Sequence, residues 1–321
     1  MKVTELFRYV VERGMEKDPR GKTGLGRYLA DIKKEHERIP GAEKWEFDEE
    51  RLWNPYDDSR ILNNPGNPEV KKVLMGINID SAELLVADRL LQKGENIDLV
   101  IGHHPRGIGR PGLHKVMGIQ ADFYENWGVP INVGEHLMAP RIAEVMRGIM
   151  PQNHNQDVDT AKLLGLPFMC THSPADILVQ DYIQKKMDEN EPYRLRDVVN
   201  IFKGIPEYRN GIRLKNGPRI IVGKNSNRAG KVVIKMAGGT GGAKTLYSAF
   251  EKAGIGTYIC MHLQESHIEL AKKHNINVIV AGHIPSDSLG MNLMYGELEK
   301  EGKLEIIRFS GLIPSTEEEE E

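Results

Sequence analysis

From residue 71 to about 180, and again from 231, short apolar runs alternate with longer segments whose apolar positions recur at helical spacing. "KKVLMGINI", "IDLVIG" and "VPINVG" read as strands, and "SAELLVADRLLQKG", "GIQADFYENWG" and "PRIAEVMRGIM" read as helices. The later stretch repeats the pattern with "KVVIKMA", "AKTLYSAFEKAG", "GTYICM", "SHIELAKKHN" and "INVIVAGH". Strands alternating with helices predict parallel strands joined by crossover connections. The expected fold is α/β, with two similar lobes of mostly parallel sheet.

The rest of the chain is divided by composition. Residues 1–70 form an N-terminal extension: an amphipathic helix with Leu6, Val10 and Val11 on one face, a charged helix in "LGRYLADIKKEHERI", and a loop in "WNPYDDSRILNNPGNPEV". The first lobe spans 71–180 and the second 231–310. Between them, 181–230 is a polar connecting segment with short helices and a strand at Arg219–Val222. The last residues, 311–321, end in "STEEEEE", a like-charge run that reads as a solvated tail.

Charge excludes some partners. The 43 basic and 46 acidic residues are interspersed, giving a net charge of -3, so nothing favours nucleic acid. A small-molecule substrate or a protein partner fits better. No segment approaches the ~20 apolar residues of a membrane span, and the N-terminus lacks a signal-type apolar core, so a cytoplasmic protein is expected. Cys170 and Cys260 are far apart and lack CxxC spacing, which points to two buried, reduced thiols.

Histidines sit where the strands stop. "DLVIGHHP" delivers His103 and His104, and "NVIVAGHIPSD" delivers His283 with Asp287 four residues on. Open parallel sheets present their ligand-binding loops beyond the carboxyl ends of the strands. With Ser286 as the cap of a helix through Leu289 to Tyr295, Asp287 falls in the first turn. Taken alone, His103 and His104 are explained by one core histidine and a solvated neighbour. Matched by His283 and Asp287 at another strand end, they read as ligands, because neutral imidazoles and carboxylates suit zinc, iron and manganese. Adjacent side chains diverge and can reach different ions, so a site for two divalent metal ions is expected in the crevice between the lobes.

The order "GINID", "DLVIGHHP", "LLGLP", "GGTGG" and "VIVAGHIPSD" resembles the Nif-three-like family, also described as homologues of GTP cyclohydrolase I type 2. The resemblance spans roughly 71 to 310. It implies two related α/β lobes with a dinuclear metal centre between them, and a ring-shaped homohexamer. It also implies that His103, His104 and His283 are ligands, and that Asp287 stands where the family usually has glutamate. The family pattern places a further aspartate in a His-Thr-Asn-Leu-Asp stretch, whereas the expected strand end here reads "INVGEHLMAP". Glu135 is the favoured substitute there, with His136, His154 and Asp157 as alternatives.

Other residues carry weaker signals. Asp80 is assigned to helix capping beside Ser81, and His172, in "CTHSPADILV", to local structure before a helix capped by Ser173 and Pro174. The run "AGGTGGAK" reads first as a tight strand-to-helix turn, with Thr240 and Lys244 as candidates for contacting a substrate phosphate or carboxylate. His267 is a candidate proton shuttle. His267 and His274, a heptad apart, share a helix face that reads as surface.

Two functions follow from this reading. The first is a metal-dependent hydrolase, cyclohydrolase-like or phosphoesterase-like, using a metal-bridging hydroxide on a small, nucleotide-like substrate. The second is a non-catalytic, metal-holding oligomeric protein with an interaction or regulatory role.

Overall fold

The computed structural model describes residues 1–315; the tail expected to be solvated lies, from residue 316 on, outside them. Helices α1 (Val3–Met15) and α2 (Gly21–Arg38) open the chain. Apolar residues of α1 recur every three to four positions, and Val3, Leu6, Phe7, Val10 and Val11 are all buried. The first half then runs β1 (Arg60–Asn63), β2 (Lys72–Gly76), α3 (Ser81–Gln92), β3 (Leu99–Gly102), α4 (Gly109–Val116), α5 (Ile119–Asn126), α6 (Ile131–Ile149), α7 (Gln156–Leu164), β4 (Phe168–Cys170) and α8 (Ser173–Asn190). The second half runs α9 (Leu195–Lys203), α10 (Pro206–Arg213), β5 (Arg219–Val222), β6 (Lys231–Lys235), α11 (Tyr247–Lys252), β7 (Ile255–Cys260), α12 (Glu265–Lys273), β8 (Asn277–Val280), α13 (His283–Lys300) and β9 (Glu305–Phe309).

The strands form two sheets, ordered β1-β4-β3-β2-β9 and β5-β8-β7-β6. Each has one antiparallel edge strand, β1 or β5, beside a run of parallel strands. The fold is therefore α/β, as the alternation predicts, and β5 coincides with the strand expected at Arg219–Val222. Sheet membership departs from the sequence divisions at three places. β1 comes from the stretch expected as an N-terminal loop, β5 from the connecting segment, and β9 crosses back from the second half to pair with β2.

One expected strand is absent. "VPINVG" opens the 19-residue helix α6, which continues through the "PRIAEVMRGIM" stretch. Its β-branched residues suggest a strand, but Pro130, at φ -54, stands at the N-cap, where its missing N–H costs nothing. Conversely, β4 is three residues long, too short to show a pattern.

Helices α8 and α13 pack against each other. Ile177 and Leu178 of α8 join Met291, Met294 and Tyr295 of α13 in the largest apolar cluster. Gly290 permits the close approach: a Cβ there would lie 2.9 Å from the Ala175 carbonyl oxygen and 2.9 Å from Val179 Cγ2. Gly296, on the same helix, has nothing within 4 Å of its Cβ direction. Alanine in a helix interior gains about 0.5–1 kcal/mol over glycine, whereas overpacking costs about 1–3 kcal/mol. Gly290→Ala should therefore destabilise the protein and Gly296→Ala stabilise it, as read by urea denaturation. Equal effects at the two positions would contradict the packing account.

Candidate metal centre

β3 ends at Gly102, and the next two residues, His103 and His104, donate their backbone N–H groups to the Ile77 carbonyl. β4 ends at Cys170, followed by Thr171 and His172, and β8 ends at Val280, three residues before His283. All three turns lie at the carboxyl ends of parallel strands, two in one sheet and one in the other. His172 is followed by Asp176 and His283 by Asp287, each acid four residues on and within the helix that begins there. Pro174 and Pro285 sit in the first turns of α8 and α13, where backbone N–H groups lack intrahelical partners. α13 begins earlier than expected, at His283. Ser286 is therefore not its cap; its hydroxyl donates back to the Gly282 carbonyl at 2.6 Å.

These turns bring six side chains together. Three groups have ligand-type atoms close enough to share an ion: His103, His104 and His172; His104, His283 and Asp287; and His103, Asp176 and Asp287. Asp287 Oδ1 is 3.6 Å from His103 Nε2, while Oδ2 is 3.3 Å from His104 Nε2 and 3.4 Å from His283 Nε2. Asp176 Oδ1 lies 3.4 Å from His103 Nε2, and its Oδ2 lies 3.7 Å from His172 Nε2. These separations exceed the usual hydrogen-bond range of about 2.7–3.2 Å. Two ligand atoms each ~2.1 Å from a tetrahedral ion stand roughly 3.4 Å apart, which is the spacing seen. His103 Nε2, Asp176 Oδ1 and both Asp287 oxygens are buried without a hydrogen-bond partner. A buried carboxylate without partners is costly, and a cation among these atoms resolves it. The donor set fits a divalent ion.

The outward nitrogens of three of the rings are held. His103 Nδ1 donates to the Thr171 carbonyl at 3.1 Å, His104 Nδ1 to Asn78 Oδ1 at 2.7 Å, and His172 Nδ1 to Asp58 Oδ2 at 2.7 Å. Each partner is an acceptor, so in the neutral ring the proton sits on Nδ1 and the Nε2 lone pair faces the cluster. Asp58 is fully buried and also accepts from the Ser173 hydroxyl at 2.7 Å.

Among solved structures, the chain is similar to a NIF3 superfamily protein from Sphaerobacter thermophilus, with 26% identity over 88% of this chain and 97% of that one, at a TM-score of 0.72. This likeness agrees with the resemblance to the Nif-three-like family read from the sequence. Reduced HcgD from Methanocaldococcus jannaschii matches at 15% identity over 84% of this chain and 97% of that one, with a TM-score of 0.47. TTHA1606 from Thermus thermophilus matches at 15% identity over 99% of this chain and 100% of that one, also at a TM-score of 0.47. These last two likenesses are too loose to bear on function. No family model and no curated protein matches the chain.

The His-to-Asp spacing of the His-Thr-Asn-Leu-Asp pattern is found at His172–Asp176 rather than in "INVGEHLMAP". Glu135 and His136 are exposed on α6 and belong to none of the three groups, because the stretch is helix rather than strand end. His154 bonds its own turn, and Asp157 pairs with Ser81 and Arg106. His172 is not merely local structure, and sequence reasoning misses Asp176 and Asp58 outright. The signal that could have found the first two is a repeat: "HSPAD" at 172–176 and "HIPSD" at 283–287 share the form His-x-Pro-x-Asp. Asp80 is the N-cap residue of α3, in a reciprocal pair with Glu83, as expected. Both cysteines are buried and free.

A cavity of about 90 Å³ adjoins the cluster and is lined by His172, Asp176 and His283. Thr240 and His267 also line it, whereas Lys244 is exposed and His274 pairs with Glu251.

Burial opposes protonation of His103, but Asp287 and Asp176 together outweigh it and raise its pKa to about 10. Burial pushes His104 down to about 4, despite Asp287. A folded value above the unfolded one means that the stability from His103 is complete below about pH 6.5 and lost as pH rises through about 10. In chelator-treated protein at pH 8, nitrogen NMR should find both His103 ring nitrogens protonated and His104 neutral. A His103 titrating near pH 6.5 would refute this electrostatic picture.

Proposed function

We propose that the protein is a metal-dependent hydrolase holding two divalent ions, zinc, iron or manganese. One ion is assigned to His103, Asp176 and Asp287, with His172 alongside, and the other to His104, His283 and Asp287. The observation that carries this reading is that Asp287 belongs to two of the three groups and turns a different oxygen to each side. Aspartate, shorter than the glutamate implied by the family resemblance, reaches both sides because it stands on the second turn of a buried helix.

Bound ions would supply Lewis acidity and lower the pKa of a coordinated water. The chain's own part is to fix three imidazoles through their Nδ1 protons and to place two carboxylates where cationic charge gathers. No cysteine enters the set, and sets of histidine and carboxylate commonly leave coordination positions open. The adjoining cavity shares three residues with the cluster, so a small molecule bound there would sit against it. A ring-shaped homohexamer is part of the proposal, tested by light scattering of the purified protein.

Elemental analysis tests the ligand assignment. Asp287→Ala and Asp176→Asn should each lower metal content well below the wild type, while Glu135→Gln should leave it unchanged. Full occupancy in Asp176→Asn would overturn the assignment. The hydrolase reading predicts chelator-sensitive turnover within a panel of phosphoesters and cyclic C–N substrates. Full metal content with no turnover on the panel would assign the protein to metal holding instead.

A further inference from the structure

Lys235, the last residue of β6, is buried at 7% exposure and lines the cavity beside the histidine and aspartate cluster. Its ammonium has three donors and makes one hydrogen bond among the described residues, to the Thr240 carbonyl at 3.0 Å. No carboxylate lies within ion-pair distance of it among the described residues. A buried lysine so placed is costly unless something anionic meets it.

The surroundings point the same way. Arg141, His262 and His267 line the same cavity, and Asp176 is the one carboxylate among its lining residues. Burial, with Lys244 and Arg141 adding to it, lowers the pKa of His267; burial, with His283 and Lys235 adding to it, lowers that of His262. The glycine loop from 238 to 242 forms another wall. Within it and just after it, the backbone N–H groups of Gly239, Gly241, Gly242 and Ala243 donate to no group among the described residues, and Gly242 and Ala243 are buried. Successive unpaired N–H groups in such a loop are suited to an anion. The loop is held in place: Gln120 donates to the Gly238 and Thr240 carbonyls, and Tyr124 donates to Gln120. Gln180, one turn beyond Asp176 on α8, accepts from the backbone N–H groups of Met236 and Ala237. The lysine, the loop and the metal-type cluster are thus fixed to one another.

We infer that this cavity is an anion site, in which Lys235 and the N–H groups of the 239–243 loop bind the phosphate or carboxylate head group of a small molecule. The volume of about 90 Å³ admits such a head group and leaves the rest of the molecule facing His172 and His283. Naming that molecule as the substrate rests on the metal-centre proposal above; the anion site itself does not.

The test uses chelator-treated, full-length protein with inorganic phosphate as the probe. Phosphorus NMR or calorimetry should detect binding to the wild type, weakened at least tenfold in Lys235→Met, which removes the charge while filling the space. A second measurement needs no variant: phosphate should protect Lys235, and not exposed Lys244, from acylation by acetic anhydride, as mapped by mass spectrometry. Absent binding to the wild type, unchanged binding in Lys235→Met, or equal acylation of Lys235 with and without phosphate would each overturn the inference. Both measurements are made without metal, so their failure leaves the ligand assignment standing. Loss of metal in Asp176→Asn, in turn, is not evidence about the anion site.

Discussion

Asp287 is a carboxylate with both oxygens buried and neither hydrogen-bonded, held well below the usual carboxylate range by the opposing histidines despite the burial that would raise it. Burying an ionised carboxylate costs several kcal/mol even after relaxation, and attraction to a close cation offsets this only with good geometry. The structure supplies that geometry by gathering imidazoles from separate strand ends around one acid. The two-sheet arrangement, the paired helices and the buried N-terminal acids can all be read as what is needed to hold those rings still.

The pairing of α8 with α13 is the mechanical part of this. Each helix starts at a strand end with the same His-x-Pro-x-Asp order, and each carries its acid one turn in. Acids near a helix N-terminus are favoured by the macrodipole, which offsets part of the cost of burying them. Gly290 lets the two helices approach closely, and the approach brings Asp176 and Asp287 together at the same nitrogen of His103. The glycine and the metal-type cluster are one design seen at two levels.

The strand-to-helix alternation makes the α/β fold legible, because buried strands of four or five apolar residues leave a clear pattern. His103, His104, His283 and Asp287 are legible because each follows such a run. His172 and Asp176 are not, since β4 is three residues long and its antiparallel neighbour β1 lies in a stretch rich in Pro and Asn. Glu135 misleads for a related reason: Ile131 and Val133 have strand preference, but tertiary packing and Pro130 carry them into α6. Lys235 escapes notice because a lysine ending an apolar run reads as an exposed strand terminus. Its burial comes from α5 and α8 closing over the loop that follows, contacts between residues far apart in the chain.

The N-terminal segment reaches the centre through Asp58. Arg60, itself buried, pairs with Asp48, Glu50 and Asp57 and fixes the turn that carries Asp58. Asp58 then meets His172 Nδ1 with a carboxylate oxygen, where His103 and His104 meet only a carbonyl and an amide oxygen. A carboxylate partner makes an imidazole a stronger donor than a neutral one does. The two halves of the cluster are therefore unequal. The side of His103 and His172 faces Asp58, Asp176 and Asp287, and the side of His104 and His283 faces Asp287 alone. Under the two-ion proposal, the first side would hold its cation the more tightly, having more anionic donors, while the cavity that Lys235 lines meets both sides, through His172 and Asp176 of the first and the half-exposed His283 of the second.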